Sequence, residues 1–225
     1  MKSMILAALA LTVTATMQAT VPDWADFSRY EKSNEEVAAA PADSRRVVFF
    51  GNSITDFWPS THPAFFSENG FIGRGISGQS TYQFLSRFRE DVVNLHPEIV
   101  VINAATNDIA ENTHSYDADR TFGNIISMVE IARANGIRVV LTTTLPASAF
   151  NWNPAVTDAP EKIAALNARL AEYAAENKLD FVDYHSALLA ADGRSLDPRY
   201  SSDGVHPNAD GYAVMEELVM KVIGK

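Results

Sequence analysis

Cysteine is absent from the chain, which excludes a disulfide framework, a zinc–thiolate centre and a thiol nucleophile together. Basic residues are few: 18 Lys and Arg stand against 28 Asp and Glu, a net charge of −10, and neither sign is gathered into a long run. A surface of that charge repels phosphate backbones, so no nucleic-acid partner is expected. No apolar run reaches the ~20 residues that span a bilayer. Internal repeats and low-complexity stretches are also missing. What remains, 47% hydrophobic and 20% charged, is a globular composition with enough apolar material for a sizeable core. A length of 225 residues suits one domain with a short appendage.

The longest apolar run comes first. Lys2 precedes Met4-Ile5-Leu6-Ala7-Ala8-Leu9-Ala10-Leu11, which fades into Thr and Ala before Ala19 and gives way to Asp23-Trp24-Ala25-Asp26-Phe27. This is the layout of a secretory signal peptide; an ordinary buried N-terminal helix is the other reading. Residues 1–19 are therefore expected to be a leader, 20–42 an N-terminal helix and linker, and 43–225 the main domain. The protein is expected to be exported, periplasmic or extracellular, with no stable membrane insertion.

Past the leader, apolar runs of strand length alternate with longer stretches of helical period, the signature of a parallel sheet with crossover helices. Strands are expected at residues 46–50, 70–73, 99–103, 138–143 and 180–184. Three have nearly unbroken cores, Val47-Val48-Phe49-Phe50, Ile99-Val100-Val101-Ile102 and Val139-Val140-Leu141, as strands covered on both faces do. Helices are expected at 82–95, 118–135, 160–177 and 209–223, and a further outer one within 23–37.

Ligands of an open α/β sheet bind outside the carboxyl ends of its strands, and unusual residues follow three of them here. After the first strand comes Gly51-Asn52-Ser53-Ile54-Thr55-Asp56; Ser53 falls where a helix begins, beside free backbone N–H groups. After the third comes Asn103-Ala104-Ala105-Thr106-Asn107-Asp108, and before the final helix Ser202-Asp203-Gly204-Val205-His206-Pro207-Asn208. Taken singly, Ser53 reads as a helix cap and Asn107-Asp108 as a turn. Together they supply a nucleophile, an oxyanion donor, a base and a carboxylate spaced to hold that base.

Gly51-Asn52-Ser53-Ile54-Thr55, Gly75-Ile76-Ser77-Gly78, Thr106-Asn107-Asp108 and Asp203-Gly204-Val205-His206-Pro207-Asn208 resemble, in order, the four characteristic blocks of the GDSL or SGNH esterases and lipases. That resemblance, running from about Arg46 to Tyr212, implies a three-layer α/β/α sandwich, flavodoxin-like, with strand order 2-1-3-4-5. It further implies Ser53 as nucleophile, His206 as base oriented by Asp203, Gly78 and Asn107 in the oxyanion hole, and neither metal nor organic cofactor. Two positions depart from the family pattern: Asn52 stands where Asp is usual, and Ala105 where glycine is common. If the latter position requires φ > 0, alanine strains it.

Gly73-Arg74-Gly75-Ile76-Ser77-Gly78 spells a dinucleotide-binding G-x-G-x-x-G, but in the wrong context, since Glu98 opens a strand where the ribose-binding acid should end one. No G-x-S-x-G surrounds Ser53, against an α/β-hydrolase elbow. None of His62, His96, His114 and His185 has partners that make a convincing metal set. The expectation is an exported serine esterase acting on small-molecule or carbohydrate esters, with acetyl groups on sugars favoured by resemblance alone. A lysophospholipase or thioesterase and a catalytically inactive binding protein are the rivals. Asn52, Trp58 and Trp152 are expected near the substrate, Trp58 capping an acyl pocket. Trp152 lies in the long connection 145–159, where Phe150 and Trp152 either shape the site or pack the loop.

Overall fold

The structure, a computed structural model, describes residues 23–41 and 47–224. The expected leader, the expected boundary at 42–43 and Arg46, the first residue of the first expected strand, lie outside the described residues. Five parallel strands form one sheet: β1 (Val47–Gly51), β2 (Ile72–Gly75), β3 (Ile99–Asn103), β4 (Arg138–Thr142) and β5 (Asp180–Val182), ordered β2-β1-β3-β4-β5. Gly51 registers with Gly75 on one side and with Asn103 on the other. The carboxyl ends of these three neighbouring strands therefore finish level, and the residues that follow them share one rim.

Alternation along the strands sorts their side chains into two cores. Val48, Phe50, Val100, Ile102, Val139 and Leu141 face one side, where they meet Phe84 and Phe88 of α4 (Thr81–Asp91), Ile125, Met128 and Val129 of α6 (Ala118–Ala134), and Ile163, Leu166 and Leu170 of α7 (Ala159–Glu176). Val47, Phe49, Ile99, Val101, Val140 and Val182 face the other. There they pack on Ile54 and Trp58 of α2 (Ser53–Thr61), Phe66 of α3 (Pro63–Asn69), Tyr184 and Leu188 of α8 (Tyr184–Leu188), and Tyr212, Met215 and Val219 of α9 (Ala209–Ile223). The molecule is thus a three-layer α/β/α sandwich. Burial of each large apolar side chain contributes about 1.5–3 kcal/mol, which is why strands covered on both faces carry no polar alternation.

The N-terminal stretch lies outside this frame. A 3₁₀ turn (Phe27–Arg29) precedes α1 (Glu31–Ala39), and neither contains a buried residue. Polar bonds attach the stretch to the body: Gln79 Nε2 donates to Ala25 O at 2.7 Å, Tyr30 Oη to Gly75 O, and Asn34 Nδ2 to Asp91 Oδ1 at 2.7 Å.

Helix α9 and β3 fall where the sequence places them. The second strand lies two residues later than expected, because Gly70, at φ 64°, ends α3 in the left-handed conformation that glycine favours. Helix α4 stops at Asp91, and beyond Val92 the rest of its expected span forms a 3₁₀ turn, Val93–Leu95. The glycines of the G-x-G run have a packing cause. A Cβ on Gly73 would come within 2.8 Å of the Pro59 ring, and one on Gly75 within 2.1 Å of Asp56 N. They let α2 lie close over β2.

Candidate active site

Helix α2 begins directly where β1 ends, so its first residue, Ser53, stands on the rim with its hydroxyl outward and its backbone N–H in the unpaired first turn. Asn52 caps this helix: its Oδ1 accepts from Ile54 N at 3.0 Å, and its carbonyl accepts from Thr55 N and Asp56 N. At 1% exposure it does not reach the cleft, which corrects the expectation that Asn52 lines the substrate pocket. Short polar side chains are chosen at this position for the cap, and Asn52 serves there without the charge of the Asp usual in the family.

His206 arrives from the turn that leads into α9. Its Nε2 lies 2.8 Å from Ser53 Oγ, and its Nδ1 lies 2.7 Å from Asp203 Oδ2. The other carboxylate oxygen, Oδ1, accepts from the N–H groups of Val205 and His206 at 2.9 and 2.8 Å and from Ser201 Oγ at 3.1 Å. Partial burial pushes the Asp203 carboxyl up, but the bonds from the His206 backbone and ring and from Val205 N outweigh it and hold the pKa at about 2. A carboxylate so fixed keeps Nδ1 protonated and Nε2 free to accept a proton from the hydroxyl.

Three groups converge on the space in front of Ser53. Gly78, at φ 79°, follows β2 on the turn Ile76–Gln79. Neither its N–H nor that of Ser53 has a protein acceptor among the described residues. Asn107 sits on the one-turn helix α5 (Thr106–Ile109), 3% exposed, and its Nδ2 donates to Gln79 O at 2.9 Å. The adjacent Asp108 turns inward and accepts from Thr81 N and Thr81 Oγ1 at the start of α4. Burial pushes the Asp108 carboxyl up, against the lowering effect of the Thr81 bonds. One residue of the pair thus anchors a helix N-terminus and the other faces the cleft.

The cleft, of about 240 Å³, is lined by Ser53, Phe57, Ser77, Gly78, Asn107, Asn112, Trp152 and His206. It brings together Ser53, His206, Gly78, Asn107 and Trp152, all expected from the sequence, with Asp203 immediately behind. Trp58 is not among them, correcting its expected role as an acyl-pocket cap. On a helix turning about 100° per residue, the fourth residue after Ser53 returns to its face and the fifth points away. Phe57 therefore lines the cleft, its ring 5.3 Å from that of His206. Trp58 goes into the core, 1% exposed, where it packs on Phe49 and Tyr212 and donates to Glu216 Oε1 at 2.9 Å. His62, half-buried at the edge of this cluster, has its Nδ1 2.7 Å from the same Glu216 oxygen.

The long connection splits between its two readings. Phe150 is fully buried in the core, whereas Trp152 is 47% exposed, with its ring 6.3 Å from that of His206. Sequence reasoning missed Phe57, Ser77 and Asn112. Helical spacing from Ser53 is the signal that finds Phe57; Asn112 lies in an irregular turn and carries none. It also missed Arg87, buried in α4, which donates to Gly51 O, Arg74 O, Gln79 Oε1 and Asp91 Oδ2 at 2.6–3.0 Å. That guanidinium ties the ends of β1 and β2 to the residue whose carbonyl holds Asn107.

Comparison with known proteins bears on the family and the fold. An acylhydrolase assignment is carried by a Bacteroides fragilis crystal structure 60% identical to this chain, with a TM-score of 0.88, covering 90% of this chain and 97% of that one. A GDSL-like lipase from Bacteroides thetaiotaomicron is 53% identical, with a TM-score of 0.86, and covers 89% of this chain and 98% of that one. An acetylxylan esterase from Xylanibacter ruminicola is 22% identical over 88% of this chain and 46% of its own length. The chain spans less than half the length of the curated relatives it matches. Residues 49–214 match the GDSL-like lipase/acylhydrolase family model, and the chain belongs to that family.

Proposed function

We propose that this chain is an exported serine esterase that removes short acyl groups, acetyl foremost, from carbohydrate through an acyl-enzyme. The observation that carries the reading is the line Asp203 Oδ2, His206, Ser53 Oγ, with steps of 2.7 and 2.8 Å, ending in the cleft beside Gly78 and Asn107. As Ser53 Oγ bonds to the ester carbonyl carbon, His206 Nε2 takes its proton. The carbonyl electron pair moves to oxygen, where Ser53 N–H, Gly78 N–H and Asn107 Nδ2 receive it. Collapse expels the alkoxide, which leaves with the proton from His206. Water then repeats the sequence on the acyl-serine and frees the acid. Asp203 stays ionised throughout.

The walls favour a small acyl group. Phe57 and Trp152 are the large apolar residues of the lining, and among the described residues no aliphatic side chain joins them there, so the cleft itself offers little aliphatic surface to a long chain. Two exposed aromatic faces at the mouth suit stacking on a sugar ring, and the acetylxylan esterase relative acts as a precedent for that class. Export is supported by Lys2 and the apolar run that follows it; among the described residues no helix is long and apolar enough to cross a membrane.

The test is kcat/KM for p-nitrophenyl esters of two to twelve carbons, with acetylated xylo-oligosaccharides alongside. Activity is expected to peak at acetyl or propionyl and to vanish in Ser53→Ala. A rise with chain length overturns the short-acyl reading in favour of a lysophospholipase or thioesterase. Undiminished hydrolysis by Ser53→Ala, or none by the wild type, overturns the esterase. Intact mass of the exported protein should place its first residue between Thr16 and Val21.

A further inference from the structure

Asn112 touches three parts of the cleft at once. Its Nδ2 donates to Asn107 Oδ1 at 3.0 Å and stands 3.5 Å from Gly78 O, while its Oδ1 accepts from Trp152 Nε1 at 2.7 Å. Its backbone N–H also donates to Asn107 O at 3.0 Å, fixing the turn on which the side chain stands. We infer that Asn112 is a positioning residue that, oriented by Trp152 and acting together with the Gln79 carbonyl, holds the donor end of the Asn107 amide toward the substrate.

The argument is one of hydrogen-bond polarity. The two ends of an Asn amide are nearly equal in size, so shape alone does not choose between its flipped forms. Only the donor or acceptor character of the neighbours does. Asn107 has an acceptor, Gln79 O, against its Nδ2 and a donor, Asn112 Nδ2, against its Oδ1. A flip would set oxygen against oxygen at Gln79 and nitrogen against nitrogen at Asn112. Asn112 meets the same choice, and it is settled by the indole of Trp152, which donates and never accepts. The polarity therefore runs from Trp152 N–H through the Asn112 amide to the Asn107 amide, and ends with Asn107 donating. An oxyanion site needs that sense, because a flipped Asn107 would present a carbonyl oxygen to a developing negative charge.

Asn112 thereby couples a substrate-contacting wall to the oxyanion donor, and the single indole nitrogen gives Trp152 a role that its ring alone would not fill. The inference rests on the esterase reading above. It requires the loss to appear in the chemical step, since the orientation of Asn107 matters most when the oxyanion forms.

Asn112→Asp separates this role from a merely structural one. An ionised carboxylate still accepts from Trp152 Nε1, so the loop stays docked, but it has no donor for Asn107 Oδ1. The expected result with p-nitrophenyl acetate is a fall in kcat of about 10-fold or more, bounded by the ~10²–10³-fold of a lost oxyanion donor, with KM unchanged. Asn112→Ala, which loses the acceptor of Trp152 Nε1 as well as the donor to Asn107 Oδ1, should lower kcat as much and raise KM in addition. Trp152→Phe, which keeps a ring and loses the N–H, should lower kcat less and raise KM. In Asn107→Ala the Asn112→Asp substitution should cost nothing further, since its target is gone. Wild-type kcat in Asn112→Asp, or losses that multiply in the Asn107→Ala background, overturn the inference. Ser53→Ala, measured beside them, fails separately: if it remains active, the esterase reading falls, whatever Asn112 does.

Discussion

Asp56 accepts from both the N–H and the hydroxyl of Ser77, at 3.2 and 2.7 Å, through a single oxygen. Its other oxygen pairs with Arg29 at 3.2 Å. The carboxylate belongs to the helix that begins at Ser53, and Ser77 precedes Gly78. One side chain thus ties the helix that begins at Ser53 to the turn that carries Gly78, two of the residues that line the cleft.

From this follows a prediction about Asp56 and Arg29. Asp56→Ala leaves the Ser77–Gly78 turn without its anchor and should lower kcat on a short ester by about 10-fold, part of the penalty of losing an oxyanion donor outright. Arg29→Ala removes a half-exposed partner and should change stability by no more than about 1 kcal/mol, with kcat unchanged. Steady-state kinetics and thermal denaturation of the two variants check this; equal kcat in Asp56→Ala and wild type would refute the anchoring role.

At Ala105 the backbone is held against preference. It is a 1%-exposed residue at φ 79°, ψ −12°, immediately before the helix that carries Asn107. A side chain in this left-handed region costs about 1–2 kcal/mol. The family departure noted in the sequence is therefore strained, yet Asn107 still reaches the cleft, because Ile109 N bonds to Ala105 O at 3.0 Å and closes the turn. Ala105→Gly should relieve the strain, offset in part by the greater freedom of glycine in the unfolded chain, for a net gain of about 0.5–1 kcal/mol. A melting temperature about 2 °C higher is expected; a lower one would show that the cavity left by the methyl group outweighs the strain.

What was legible in the sequence follows from where the signals are local. Continuous β-branched runs gave the sheet, and residues just past strands gave Ser53, Asn107 and, before α9, Asp203 with His206. The strand order came through the family resemblance, because neither pattern nor spacing ranks five equivalent strands. Helix α3 was hidden by Pro63, which sits at its first turn, where proline is favoured. Nearness to Ser53 in sequence points to Trp58, but the helical phase puts Phe57 at the cleft and Trp58 in the core. Asn112 and Arg87 act through bonds to partners far along the chain, such as Trp152 and Gly51, and no local pattern announces such partners.

The placement of Phe57 at the cleft and Trp58 in the core can be tested directly. Trp58→Phe removes the indole N–H from Glu216 and part of a fully buried ring, and should destabilise the fold by about 1–3 kcal/mol. The acyl-length profile should stay as it is. Phe57→Ala, at a 43%-exposed position beside His206, should raise KM with little change in melting temperature. Denaturation and the p-nitrophenyl ester series on both variants would show the reverse pattern if Trp58 were the substrate contact.

Asp203 combines a catalytic and a pH prediction. Its pKa, about 2 in the folded protein against an ordinary 3.8, is depressed, so its contribution to stability is fully present above the unfolded value and is lost as pH falls through about 2. Its side chain is 43% exposed, and solvent screening reduces that contribution to about 1 kcal/mol. Asp203→Asn should therefore melt slightly below the wild type at pH 7, and the gap should close between pH 4 and pH 2. Activity responds far more strongly, because an amide can present a donor to His206 Nδ1 and favour the tautomer in which Nε2 carries the proton. Turnover of Asp203→Asn at neutral pH should fall by ~10³–10⁴-fold. Activity within a factor of ten of wild type, with the stability gap behaving as described, would show that Asp203 serves the turn and not the histidine.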